Sequence, residues 1–384
     1  MMTDDFLVFG RPRFEQAEID EVVDCLRKGW VGTGPKVARF EEEFAAYKGV
    51  PFAAALNSCT AGLHLSLLCL DLEPDAEVIT TPLTFCATVN AIIHAGATPV
   101  LADVDPDTGN IDPAAIERAI TLKTRAILLV HLNGRACDMG ALMAIADKHG
   151  LRVVEDCAHA VETEYRGAKA GTFGDLGVFS FYATKNLATG EGGMVVSENA
   201  DLIERIKTLG LHGLSADAWT RFSDDGYKHF FVSQAGFKYN MMDMQAAIGI
   251  HQLARIEKNW RRRQEIWKKY MQAFNELPVT LPARPEANSR HAYHLFTLLI
   301  GEDAPVDRDH FLERMTAENI GVGVHYLSIP EHPFYRETLG WRPKDWPNAM
   351  KIGRQTVSLP ITMTMDDRDV DRVINTTREI LEPS

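Results

Sequence analysis

At 384 residues and 46% apolar content, the chain is long enough for two or three domains, each with a sizeable core. Its 40 basic against 53 acidic side chains leave a net charge of −13, so the average surface repels polyphosphate and a nucleic-acid partner is not expected. No run approaches the roughly eighteen uninterrupted apolar residues of a membrane span, and the opening Met-Met-Thr-Asp-Asp lacks the basic and apolar regions of a secretory leader.

Residues 15–28 put Ile19, Val22, Val23 and Leu26 at helical spacing, and the glycine-rich GWVGTGP that follows cannot continue a helix. From about 37 to 200 the pattern alternates between helical segments (KVARFEEEFAAYKG, TAGLHLSLLCL, FCATVNAIIHAG, DPAAIERAI, MGALMAIADKHG) and short apolar ones (FAAAL, EVIT, TPVLA, RAILLV, LRVVEDC). Short strands separated by longer helices predict βαβ crossovers, hence an α/β fold with a mainly parallel sheet covered on both faces. The stretches 171–181 and 192–197 read as two further strands, followed by a helix near 200–209 and a long polar loop to 240, a length that suggests a functional or interface role. Residues 241–276 form one long helical pattern that Pro278, Pro282 and Pro285 end. Along that helix the chain is expected to pass from a large α/β domain, 1–250, to a small α+β domain, 251–384. The latter reads as a strand at 293–300, a helix at 308–319, a strand at 321–326 (GVGVHY), a proline-rich loop and a final helix at 367–381.

Open parallel sheets bind ligands at the carboxyl ends of their strands. A dinucleotide site is disfavoured, since no G-x-G-x-x-G follows an early strand and Val154-Glu155-Asp156 has no glycine turn before it; no G-x-x-x-x-G-K-[ST] occurs either. Three other strand ends carry chemistry. Asn57-Ser58-Cys59-Thr60-Ala61-Gly62 joins FAAAL to a helix, whose start offers amides and the positive dipole end to a phosphate; the alternative is an ordinary cap by Ser58 or Thr60. Asp156 closes the run LRVV, where a buried carboxylate can hold a pyridinium proton, and His159 three residues on can reach the same ligand, unless the pair merely caps the next segment. Lys185, in FSFYATKNLATGEGG, lies between an apolar strand and a glycine-rich bend. Most lysines are solvated charges, but one partly withdrawn from water loses proton affinity and can attack a carbonyl.

A phosphate-binding helix start, an aspartate for a ring nitrogen and a lysine for an aldehyde are together what pyridoxal phosphate requires. Their order and spacing resemble the fold type I aminotransferases, and more narrowly the DegT/StrS family of sugar aminotransferases. The resemblance runs over nearly the whole chain, through GWVGTGPKVARFEEEFAAYKG, NSCTAGLHLSL, TPLTFCATVNAI, VVEDCAHA, FSFYATKNLATGEGGM, GFKYNMMDMQAAIGIHQL, YHLF and VHY. It implies that Lys185 bonds the cofactor and carries protons, that Asp156 holds the ring nitrogen, and that Thr60, Ala61 and Ser180 contact the phosphate. It further implies that Phe85 stacks on the ring, where the alternative is a core phenylalanine, and that His159 lies beside the phenolic oxygen. Asn240 would reach the phosphate in the neighbouring subunit of a homodimer. Trp30, Thr33, Trp219, Arg221, His325 and Tyr326 fall on substrate-side positions, while Asn133 stands where an aromatic residue is expected.

The resemblance implies a cytoplasmic enzyme that takes an amine from glutamate and gives it to a nucleotide-linked keto sugar. The segment 212–221 is similar to the branch that aminates C4 of UDP-linked sugars. A lysine at 185, where the family's dehydratases carry histidine, favours transamination over a deoxysugar dehydratase. An amino-ring synthase and a non-catalytic cofactor-binding regulator are compatible with the same residues. The six cysteines (Cys25, Cys59, Cys69, Cys86, Cys137, Cys157) are scattered without a C-x-x-C pair and read as reduced thiols. His131, Cys137, Cys157 and His159 match no zinc spacing, so no metal is expected.

Overall fold

The computed structural model describes residues 6–214 and 231–382. Among the described residues nine strands precede residue 200: β1 (Phe52–Leu56), β2 (Glu77–Thr80), β3 (Thr98–Leu101), β4 (Thr124–Val130), β5 (Arg152–Asp156), β6 (Glu164–Tyr165), β7 (Ala168–Lys169), β8 (Leu176–Ser180) and β9 (Gly193–Ser197). Seven of them form one sheet in the order β1-β9-β8-β5-β4-β2-β3, with β6 and β7 apart as a small hairpin. From β8 to β3 every pairing is parallel, whereas β9 runs antiparallel to both β8 and β1. The expected mainly parallel α/β sheet is therefore present.

Its strands are apolar on both sides because helices cover both faces. Alternate residues divide accordingly: Val78, Leu128, Val154, Val178 and Val195 join one buried cluster. Their neighbours Ile79, Ile127, Leu129 and Val153 join a second, and Phe179, Met194 and Val196 a third. The parallel strands β2, β3, β4, β5 and β8 all bring their carboxyl ends to one edge of the sheet.

The expected continuous helix over 241–276 is instead two, Asp243–Ala254 and Ile256–Ala273, broken at Arg255 (φ −110°, ψ 11°). At the break Arg255 is tied to Glu18 and to the Arg13 carbonyl, which pins this corner to the N-terminal helix Gln16–Lys28. Gly249 has a packing reason to sit within a helix, since a Cβ there would come 2.6 Å from the Phe40 ring.

β10 (Phe296–Leu299) and β11 (Thr356–Leu359) pair antiparallel over a separate buried cluster that includes Trp267, Tyr270, Phe274, Phe311 and Val373. Two expectations fail in this region. GVGVHY is not a strand: Gly323 exchanges two backbone hydrogen bonds with Ser358, and the Gly321 amide donates to Leu7, so the segment threads between β11 and the N-terminal arm without building a ladder. The proline-rich loop contains two helices, Pro333–Leu339 and Pro347–Gln355, because each proline occupies a first-turn position where its missing N–H costs nothing. Among the described residues no helix is long and apolar enough to cross a membrane.

Candidate active site

The site grows from the carboxyl end of β5. Asp156 is buried there between β4 and β8. Its Oδ1 accepts the Ala158 amide at 3.0 Å, so it does cap the next segment, and its Oδ2 accepts the Thr88 hydroxyl at 2.9 Å. Thr84 lies 2.8 Å behind Thr88, which makes a hydroxyl chain that aims the carboxylate. Burial pushes the Asp156 pKa up, against the hydrogen bonds and the nearby Lys185 amine that pull it down. Thr88 gives no sign in the sequence, since a threonine on a buried helix face is ordinary.

Glu155, one residue earlier, points to the opposite face. It accepts the Gly171, Phe173 and Gly174 amides and pairs with His131 Nε2 at 2.9 Å. Ligand-type atoms of His131, Glu155 and Cys157 lie within 4.8 Å of one another. The second imidazole nitrogen, however, accepts the Cys137 amide, so both are committed to hydrogen bonds. The cluster fastens the loop at 171–174 to the strand that carries Asp156.

Lys185 follows β8 in a turn closed by its own amide on the Tyr182 carbonyl. Its side chain is withdrawn from water, and that desolvation lowers its pKa to about 8. It lines a small cavity with Phe9, Gly10, Thr184, His294 and His325. The N-terminal arm is part of this wall, because a Cβ on Gly10 would meet Thr184 at 2.6 Å. Sequence reasoning missed the arm, and it missed His294.

His159 stands beside the same space. Its Nδ1 accepts the Asn133 amide at 3.2 Å, and its Nε2 lies 3.0 Å from the Tyr326 hydroxyl. Burial, with Lys185 and His325 nearby, holds the His159 pKa well below the ordinary value, so the ring is neutral. In a neutral ring whose Nδ1 accepts, the proton sits on Nε2 and is given to Tyr326. The Tyr326 ring meets Phe85 at 5.9 Å. Phe85 is 57% exposed, which removes the core alternative and leaves an aromatic face open.

The helix Cys59–Cys69 begins against β9. Ser58 caps it by accepting the Ala61 amide at 3.1 Å. The capping alternative is thus realised and Ala61's N–H is engaged, which leaves the Cys59 and exposed Thr60 amides to face a ligand. A Cβ on Gly193 would come 2.5 Å from the Ser58 carbonyl carbon, so only glycine lets the strand approach this closely. Gly193 pairs with Ser180 in register, which brings that buried serine to the same helix start.

Asn240 bridges to Leu56, donates to the Thr33 hydroxyl at 2.6 Å, and has a buried Oδ1 without a partner among the described residues. Trp30 folds over Gly34, and Trp30, Thr33 and Asn240 line a cavity of about 400 Å³ with Glu41 and Lys207. That larger cavity is not lined by Lys185. The residues expected on the substrate side therefore divide: His325 lines the lysine's cavity, Tyr326 meets His159 and Phe85, and Trp30 and Thr33 lie beside Asn240. Trp219 and Arg221 fall outside the described residues.

A family model described as the DegT/DnrJ/EryC1/StrS aminotransferase family matches residues 12–378. The chain belongs to this family. It is 46% identical over 379 residues to the spore coat polysaccharide biosynthesis protein SpsC of Bacillus subtilis, covering 98% of this chain and 97% of the relative. Among solved structures it resembles the putative sugar aminotransferase Spr1654 of Streptococcus pneumoniae, in its PMP (pyridoxamine phosphate) form, with a TM-score of 0.91 and 30% identity over 98% of this chain and 97% of that one. Helicobacter pylori PseC, an aminotransferase of pseudoaminic acid biosynthesis, also aligns with a TM-score of 0.91, at 27% identity over 98% and 100% of the two chains.

The residues present fit pyridoxal phosphate. A buried carboxylate, a desolvated amine, an open aromatic face and a helix start with unspent amides are of the kinds that its ring nitrogen, aldehyde, ring and phosphate require.

Proposed function

We propose that this aminotransferase moves an amine from glutamate to the keto carbon, C4, of a nucleotide-linked sugar destined for a surface polysaccharide, lipopolysaccharide or glycan. The observation that carries the catalytic part is the nearness of buried Asp156, at the end of β5, to the desolvated Lys185 in the turn after β8, close enough that each shifts the other's pKa. Pyridoxal phosphate, when bound, supplies an aldehyde that takes up the amine and a ring that stores the electron pair left when a C–H proton departs. Asp156 keeps a proton on the ring nitrogen. Lys185 Nζ, its proton affinity reduced by burial, takes a proton from the donor's α-carbon and returns one to the sugar carbon. Phe85 covers one ring face, and Thr60 and Ser180 hold the phosphate. The roles of SpsC and PseC, in polysaccharide and pseudoaminic acid biosynthesis, support a sugar acceptor. Lys185 itself speaks for transamination over dehydration.

The purified protein should be yellow, or become so with added pyridoxal phosphate, and its absorbance should shift to the pyridoxamine band on adding glutamate. A protein that stays colourless and takes up no cofactor would sink the proposal. A coloured protein unchanged by glutamate would favour a different donor or the regulator.

The active unit is proposed to be a homodimer with sites shared across a two-fold axis, Asn240 reaching the neighbour's phosphate. Its orphaned Oδ1 and the exposed Trp30, Val31 and Met242 support an interface at this corner. The check is complementation between Lys185→Ala and Asn240→Asp, each inactive alone, the second by repelling the phosphate. If the site is shared, a heterodimer has one site with both lesions and one with neither, so about half of its sites should recover full activity. No recovery after verified subunit exchange would place Asn240 in its own chain's site.

A further inference from the structure

The side chain next to Lys185 in sequence takes no part in the chemistry above, yet it is buried and fully hydrogen-bonded. The Asn186 amide nitrogen lies 2.9 and 3.0 Å from the two oxygens of Glu162 and 2.9 Å from the Ala292 carbonyl. A backbone carbonyl can only accept, so this atom is the amide's NH₂ whatever the protonation of Glu162. The other end is therefore Oδ1, and it faces His294 Nδ1 at 2.9 Å. Facing an oxygen that can only accept, Nδ1 must carry the ring proton. His294 is neutral, because it is buried and because His159, Lys185, Arg263 and His325 all oppose a positive charge on it. Its Nε2 is then a bare acceptor, and it has no hydrogen-bond partner among the described residues. His294 shares the small cavity with Lys185. His159, its ring centroid 4.4 Å away and its plane tilted by 34°, is held in the opposite tautomer by the Asn133 amide.

We propose that His294 is a specificity-determining residue whose unprotonated Nε2 accepts a hydroxyl hydrogen of the amine-accepting sugar beside its keto carbon, with Asn186 and Glu162 as positioning residues that set its tautomer. A lone pair on a ring that lines the lysine's cavity suits a polyhydroxylated substrate and repels a carboxylate, so the same atom turns the carboxylates of an amino-acid donor toward other partners. The inference rests on the proposed sugar amination.

The test has two arms. In protein labelled with ¹⁵N-histidine and free of cofactor, two-bond ¹H–¹⁵N correlations should show His294 protonated at Nδ1 and His159 at Nε2. Asn186→Ala should move His294 toward the other tautomer. With the loaded enzyme and a UDP-linked 4-keto-6-deoxyhexose as probe, His294→Phe should raise KM about tenfold, the scale of one hydrogen bond left unmade, with a smaller effect on kcat. His294→Gln, whose carbonyl oxygen reaches nearly as far as Nε2, should recover most of that loss. Finding His294 protonated at Nε2, or finding the Phe variant with the parent KM, overturns the proposal. Failure to bind cofactor would instead overturn the proposed function, while the tautomer pattern of the unloaded protein would still decide the state of His294.

Discussion

Lys185→Ala is expected to lower turnover by more than about 10⁴-fold, because the variant loses the proposed covalent anchor and proton carrier. Pyridoxamine phosphate, which needs no bond to the lysine, should still bind. The fold should survive, and the reason is local. A lysine on a solvated loop would contribute little to stability, but this one is desolvated, with a pKa lowered to about 8 from 10.5. A lysine whose folded pKa is depressed opposes folding below that pH, and the opposition fades as pH rises from about 8 toward the unfolded value. The cofactor-free variant should therefore unfold at the parent's temperature or above it near pH 7, with the difference shrinking at higher pH. Calorimetry over that range checks the sign, and near-parental transamination by the variant would place the proton carrier elsewhere.

Asp156→Asn should cost on the order of 3–5 kcal/mol in the transition state, about 10²–10⁴-fold in rate, the scale of breaking one partner of a buried ion pair. The shape is preserved, since the amide oxygen can keep the Ala158 amide and the Thr88 hydroxyl can reverse to accept from the new NH₂ while donating to Thr84. The loss should then appear in the rate and in the cofactor's absorbance, not in the melting temperature. A drop of less than tenfold would make Asp156 a structural cap only.

What can be read from the chain alone follows from how each feature is encoded. Asp156, Lys185 and the Asn57–Gly62 turn lie at or just past the ends of apolar strands, where local pattern and chemistry coincide. Thr88, Asn186, Glu162 and His294 act through contacts between segments far apart in sequence, and such contacts leave no local period. The Gly10 arm belongs to the same class. The prolines at 333 and 347 mislead for a different reason: proline breaks a helix interior but begins a helix well, and only tertiary packing shows which position it holds. The break at Arg255 likewise reflects its tie to Glu18, which the helical pattern of 241–276 does not reveal.

The antiparallel insertion of β9 bears on how the protein is made. Among the described residues β1 has no strand neighbour other than β9, and Leu56 meets Gly193. During synthesis β1 emerges early and stays an unpaired apolar edge until most of the large sheet has left the ribosome, a stage at which strands of different nascent chains can pair. The turn after β1 is also the helix start proposed to receive the phosphate, so the cofactor has no cradle to enter until β9 slides in beside it. If that helix start receives the phosphate, cofactor capture waits for β9, and supplying pyridoxal phosphate during expression should raise the soluble yield more than adding it after lysis.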